Sequence, residues 1–277
     1  MKSVNKKQIV VIIGTLIVIV LFLFANTGHP DKKEEVKIAD HLGHDDAGVL
    51  KMVESAKSTL NEDQKKLVKQ LEEAITGSSN KKVAFEMLVN HWDSLSKPAV
   101  AAYYTEQAAI ALPVEKNWLE AGNRYYAATR FVKEDERHIL FEKAMESFEK
   151  TLEKNPKNVE AKINLAACYV EGSPDPMKGI GMLKEVEKTD SNNINLQLNF
   201  AFFSEKSGQW DKAITRFEKV LKIQPEFIEA YLHLADAYQQ KGDTAKVIES
   251  LEKYIKLVDD VTIKTEVKEY INKLKKS

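Results

Sequence analysis

Apolar residues run along this chain in three regimes. From Ile9 to Ala25 they are continuous: IVVIIGTLIVIVLFLFA carries no charge, and fourteen of its seventeen residues are Ile, Val, Leu or Phe. As a helix this run is roughly 25 Å long, and its apolar side chains contribute on the order of −6 kcal/mol to bilayer insertion. It predicts one transmembrane helix, residues 9–25, acting as an uncleaved signal anchor. A cleaved signal peptide would end in a small-x-small site, which Phe22, Leu23, Phe24 and Ala25 do not offer. Residues 26–46 hold Gly28, Pro30 and the charged run DKKEEVK with little to bury, and predict a flexible linker. From residue 47 onward apolar positions recur at helical spacing. Asn61, three residues before Gln64, predicts a capping box, and Gly77 predicts a helix end. Only 11 Gly and 7 Pro occur in 277 residues, which fits an all-α chain.

Within the third regime a longer period appears. Segments 194–227 and 228–261 align without a gap, placing Ala201 on Ala235, Ala213 on Val247, Phe217 on Leu251 and Val220 on Tyr254, a period of 34 residues. One period earlier, KINLAACYVEG and MKGIGMLKEVEKTD fit residues 159–193 with one extra residue near Pro174 and Pro176. Before that, WLEAGNRYY and AMESFEKTLEKNP fit residues 115–158 if about ten residues, FVKEDERHIL, are inserted between two helices. That insertion, residues 131–140, is rich in charge and reads as a surface connection.

These residues resemble the tetratricopeptide repeat, whose pattern is W-x2-L-G-x2-Y, then A-x3-F, then a closing Pro. Trp118, Gly122, Tyr125, Ala144, Phe148 and Pro156 hold those positions in the first clear unit. Ala201, Ala213, Phe217 and Pro225 do so in the third, and Tyr231, Leu234, Ala235 and Tyr238 in the fourth. The pattern departs at Ser204, where Tyr is expected, and at Ser191, where Pro is. The resemblance implies four helix pairs over residues 115–261, a degenerate unit within 47–114 and a capping helix over 262–277. The expected fold is therefore an all-α, right-handed helix-pair solenoid preceded by one transmembrane helix.

Charge narrows the function. Lys plus Arg number 41 against 42 Asp plus Glu, so the net charge of −1 gives no field for capturing nucleic acid. One cysteine, Cys168, excludes an intrachain disulfide and a cysteine-cluster metal site. No phosphate loop, dinucleotide fingerprint, nucleophile elbow or H-E-x-x-H motif occurs, and neither catalysis nor a cofactor is expected. Cys168, beside Ala166 and Ala167, reads as a buried thiol, and Trp92, Trp118 and Trp210 as core. His91, His138 and His233 are scattered over three units. His41, His44, Asp45 and Asp46 could ligate a metal by spacing, but a mobile spacer lacks the rigid surroundings such a site needs, so the reading is solvated linker with no metal.

In the family that these residues resemble, the first helix of each pair lines a groove for an extended peptide or partner helix, and Asn side chains grip the ligand backbone. The resemblance implies Asn123, Asn164 and Asn199 in that role, with Leu119, Tyr126, Ile163, Leu198, Phe202 and Leu232 as apolar contacts. The basic residues of the chaperone-binding version are replaced here by Leu119, Asn195 and Asn199. Lys2, Lys6 and Lys7 before the span are matched in number by Lys32, Lys33 and Lys37 after it, but Lys6 and Lys7 abut the apolar run, which places the N-terminal tail, residues 1–8, in the cytoplasm. The expectation is a bacterial inner-membrane, non-catalytic scaffold that presents its groove in the periplasm to a protein or peptide during envelope assembly or export. Alternatives are a peptide-holding factor similar to those of cytochrome c maturation, or a metal-dependent envelope enzyme. The sequence leaves the oligomeric state open.

Overall fold

The computed structural model describes residues 46–77 and 81–276. The apolar run 9–25, the linker and its histidines lie outside the described residues. Among those described, no helix is long and apolar enough to cross a membrane. Helices account for nearly everything else: α1 (Asp46–Ser58), α2 (Glu62–Gly77), α3 (Lys81–Ser94), α4 (Pro98–Ala111), α5 (Glu115–Ala128), α6 (Arg137–Lys154), α7 (Val159–Gly172), α8 (Pro176–Thr189), α9 (Ile194–Lys206), α10 (Trp210–Ile223), α11 (Ile228–Gln240), α12 (Thr244–Leu257) and α13 (Val261–Leu274). Their starts are set by short polar residues. Asn158, Asp175, Asn193, Asp243 and Asp260 each accept a hydrogen bond from a first-turn N–H. At α2 the box is reciprocal, with Gln64 N–H donating to Asn61 Oδ1 at 2.9 Å and Asn61 N–H to Gln64 Oε1 at 3.0 Å.

The described residues divide into two compact units, one holding residues up to 161 with 171–174, the other 162–170 and 175 onward, so the division falls within α7. In the first unit each helix from α2 to α6 packs on the next, while α1 lies against both α4 and α6. Trp92, Tyr125, Phe148 and Leu140 are fully buried. A β-carbon on Gly122 would stand 2.6 Å from the Phe148 ring, so α5 and α6 can approach this closely only around glycine.

A buried charge network holds α1 in place. The Lys143 ammonium of α6, 4% exposed, lies 2.6 Å from Asp46 Oδ1 of α1, 2.7 Å from Glu106 Oε1 of α4 and 3.0 Å from Glu146 Oε2. The Tyr125 hydroxyl of α5 donates to the other oxygen of Glu106 at 2.6 Å. Burial raises the Glu106 carboxyl above the usual carboxylate range against the pull of Lys143. Burial also opposes the charge on Lys143, but Glu106 and Asp46 outweigh it and hold the lysine above its ordinary value. Asp46 is therefore no part of a solvated linker: it opens α1 and is spent on Lys143.

The insertion is also corrected in part. Phe131 is 72% exposed, and Lys133, Glu134 and Asp135 are exposed as expected of a surface connection. Residues 137–140, however, form the first turn of α6. Leu140 is fully buried, and the Ile139 side chain fills the space beside Gly48 of α1. Once α1 lies along α6, the extra turn has an apolar surface to cover.

In the second unit α8 to α13 likewise pack in sequence. One core joins Ala201, Ala213, Phe217, Val220 and Leu234, and another joins Ala235, Val247, Leu251 and Ile271. Small residues stand where the repeat requires them. Gly208 and Gly242, 34 residues apart, take φ of 70° and 75° in the turns that close two pairs. Ile271 is the buried residue of α13, which packs on α12 and leaves Val261, Ile263 and Tyr270 exposed beside its polar side chains.

Lys143→Met strands Asp46 and Glu106 without their cation and should cost about 3–5 kcal/mol in denaturant unfolding. Adding Asp46→Ala and Glu106→Leu should recover most of that loss. Leu140→Ala should cost about 2–5 kcal/mol, whereas replacing Lys133, Glu134 and Asp135 together by serine should change stability by about 0.5 kcal/mol or less.

Candidate protein-binding face

Two first helices of the second unit, α9 and α11, bring aromatic and acidic side chains together. Phe202 follows Ala201, and because Ala201 must face the core, the helix turns Phe202 outward, where it stays 40% exposed. Its ring lies 5.6 Å from Phe217 of α10 and 4.9 Å from His233 of α11, edge to face in both cases. His233 in turn stacks on Phe217, centroids 5.0 Å apart. The imidazole Nδ1 is 3.3 Å from Glu205 Oε2, and Glu205 Oε1 is buried with no hydrogen-bond partner. On the same two helices Leu232 is 38% exposed and Leu198 is half-buried against the α9–α11 core. The underlying rings hold Phe202 in one place, so its burial by a ligand costs little ordering entropy.

The asparagines take up different positions. Asn164 and Asn199 each stand two residues before the small residue of their helix, Ala166 and Ala201, whereas Asn123 directly follows Gly122. The register of Asn123 is taken by Ala167 in α7 and Phe202 in α9. Asn123 thus stands three positions further along its helix than Asn164 and Asn199 do along theirs. In the first unit Asn123 Nδ2 donates to Glu160 Oε1 at 3.0 Å, and the Tyr126 hydroxyl donates to Glu171 Oε1 at 2.6 Å while its ring lies 6.1 Å from Phe141. Asn199 Nδ2 donates to the Asn195 carbonyl of its own helix at 2.8 Å. Asn164 and Leu119 are half-buried, and Ile163 is 1% exposed, which removes it as a ligand contact.

His233 and Glu205 escaped the sequence reading. The signal was present in the period: His233 lies 34 residues after Asn199 and so shares its register, and Glu205 lies one helical turn beyond Phe202. Elsewhere Cys168, Trp92 and Trp118 are buried, and Trp210 packs half-buried against the α9–α11 core. Arg216 ties α8, α9 and α10 together, pairing with Glu187, donating to Gln197 Oε1 at 2.8 Å and lying over the Phe200 ring at 4.4 Å. Its guanidinium holds the Glu187 carboxyl below the usual carboxylate range.

Residues 206–242 match the family model described as TPR repeat, and residues 228–257 match that of the tetratricopeptide repeat. Residues 206–257 carry tetratricopeptide repeats. No curated protein matches it. Among solved structures, a tetratricopeptide repeat protein from Parabacteroides merdae is 15% identical, with a TM-score of 0.52 over 82% of this chain and 89% of its own. A thermophilic TPR protein of Thermus thermophilus is also 15% identical, with a TM-score of 0.48 over 70% of this chain and 99% of that one. YrrB, described as a TPR protein with an unusual peptide-binding site, is 20% identical, with a TM-score of 0.42 over 72% of this chain and 97% of its own. The first of these likenesses shows the fold, an all-α TPR helix-pair arrangement.

Phe202 and Phe217 touch, yet their burial assigns them opposite duties. Phe217→Ala opens a cavity in the α9–α11 core and should cost about 3–5 kcal/mol in chemical denaturation. Phe202→Ala should cost less than about 1 kcal/mol. Equal losses would make Phe202 a core residue and remove it from the binding face.

Proposed function

We propose that this protein is a membrane-anchored, non-catalytic scaffold whose α9/α11 face receives an extended peptide or a partner helix. The observation that carries the reading is Phe202, an aromatic side chain held rigidly by Phe217 and His233 and left 40% exposed beside the unpartnered oxygen of Glu205. A protein ligand answers both features. Its apolar side chain covers Phe202 and Leu232, worth on the order of 1.5–3 kcal/mol for each large side chain buried. Glu205 Oε1 is buried, so a ligand N–H reaches it once the Glu205 side chain turns outward, and a hydrogen bond to a charged group then contributes about 1.5–3 kcal/mol. Asn199, Asn164 and Leu198 add adaptable contacts along their own helices.

The apolar run 9–25 supports single-pass anchoring in a bacterial inner membrane. Lys6 and Lys7 beside it support a cytoplasmic N-terminus, with the repeats in the periplasm and a role in envelope protein assembly or export.

A photo-crosslinking residue at position 202, introduced in cells, should yield a covalent adduct with another protein, and one at exposed Ala245 should yield much less. Equal yields at both positions would move the binding surface elsewhere. Protease added to intact spheroplasts should digest the repeats; their protection until the membrane is lysed would reverse the orientation.

A further inference from the structure

The charge network under α1 has a second edition in the chain, and there nothing covers it. Aligning the small residues of the repeats puts Glu218 of α10 where Glu106 stands in α4, Tyr238 of α11 where Tyr125 stands in α5, and Lys246, Glu249, Ser250 and Lys253 of α12 where Lys143, Glu146, Ser147 and Lys150 stand in α6. All six are identical. The bonds repeat as well. The Tyr238 hydroxyl donates to Glu218 Oε1 at 2.8 Å, as Tyr125 does to Glu106 at 2.6 Å. Lys246 Nζ lies 2.9 Å from Glu249 Oε2, as Lys143 lies 3.0 Å from Glu146. Ser250 and Ser147 donate to the carbonyls of Lys246 and Lys143 at 2.9 and 2.8 Å.

The cover differs, and with it the partners of the lysines: Lys143 also lies 2.7 Å from Glu106 Oε1, whereas Lys246 pairs with Glu249, which Lys253 also approaches at 3.0 Å. In the first unit α1 lies on α4 and α6, with Val49, Val53 and Ala56 buried and the Asp46 carboxylate on Lys143, which is left 4% exposed. In the second unit a cavity of about 280 Å³ opens at the matching place on α10, α11 and α12, and Lys246 is 49% exposed. Leu221, Leu234 and Tyr231 give it an apolar floor. Lys222 replaces Ile110, so three lysines now face two glutamates, where the covered site has two of each before Asp46 is counted.

We infer that the α10–α12 crevice is a docking site for an amphipathic helix of a partner protein, one that carries a carboxylate in its first turn and small or β-branched apolar residues three, seven and ten positions later. The spacing is that of α1 itself, from Asp46 to Val49, Val53 and Ala56. The occupant comes from another protein because each copy's α1 is already engaged on its own α4 and α6. The extra lysine favours an acidic helix. This surface shares neither Phe202 nor His233 with the α9/α11 face and stands or falls separately.

The probe is a labelled synthetic peptide with the sequence of residues 44–60, titrated by fluorescence anisotropy into the full-length chain in detergent micelles. Saturable binding is expected, and Lys246→Glu, a change at an exposed residue that leaves the helical signal intact, should weaken it at least tenfold. A peptide carrying Lys in place of Asp46 should bind wild type poorly and recover on the Lys246→Glu chain. Phe202→Ala should leave the affinity unchanged. Absence of saturable binding, or binding indifferent to Lys246→Glu, would overturn the assignment. Self-association of the chain abolished by Lys246→Glu in sedimentation would overturn it too, by making a second copy the occupant.

Discussion

None of the described helices is long enough to be stable by itself in water, and the architecture of the described residues follows from that. The described helices run from 13 to 18 residues, a length at which an isolated helix is marginal in water. Each must hide an apolar stripe against its neighbour, and the neighbour can come close only where a small side chain admits it. Gly122 under Phe148, Ala201 and Ala213 around Phe217, and Ala235 beside Leu251 are those points of approach. Enlarging any one of them separates a helix pair, because a close-packed interior has no slack to absorb a methyl group.

That dependence on contact between successive helices is why so much of the fold could be read along the chain. The 34-residue period and the reciprocal cap at Asn61 and Gln64 are local patterns, and the structure has both of them. What eluded the sequence reading is long-range. Lys143 meets Asp46 across 97 positions, a pairing that no periodicity announces. Without it Asp46 reads as the end of the linker and the first turn of α6 as loose insertion. His233 looked isolated for a similar reason: its meaning comes from the rings of Phe202 and Phe217, which stand on two other helices. The asparagines are set apart along their helices as well, since a shift of three residues moves Asn123 about 4.5 Å along the axis from the register of Asn164 and Asn199.

The repeats also separate what holds the protein together from what it offers. Residues buried in the pairs, such as Tyr125, Phe148 and Phe217, serve the stack. Residues that the repeat leaves outside can vary without cost to the fold, and it is there that Phe202, Leu232, Glu205 and the lysines of α12 stand. A scaffold of this kind acquires partners by changing its uncommitted positions while the small residues stay fixed.

The central claim is that the α9/α11 face, with Phe202 at its middle, is where the chain meets other proteins. Amide hydrogen exchange reads this most directly, comparing the chain recovered from membranes with its bound partners against the same chain after they are stripped away. The account predicts slowed exchange on binding in peptides covering residues 198–206 and 230–237, with α5 and α6 unchanged. Slowed exchange confined to residues 46–154, or none anywhere in α9 and α11, would contradict it.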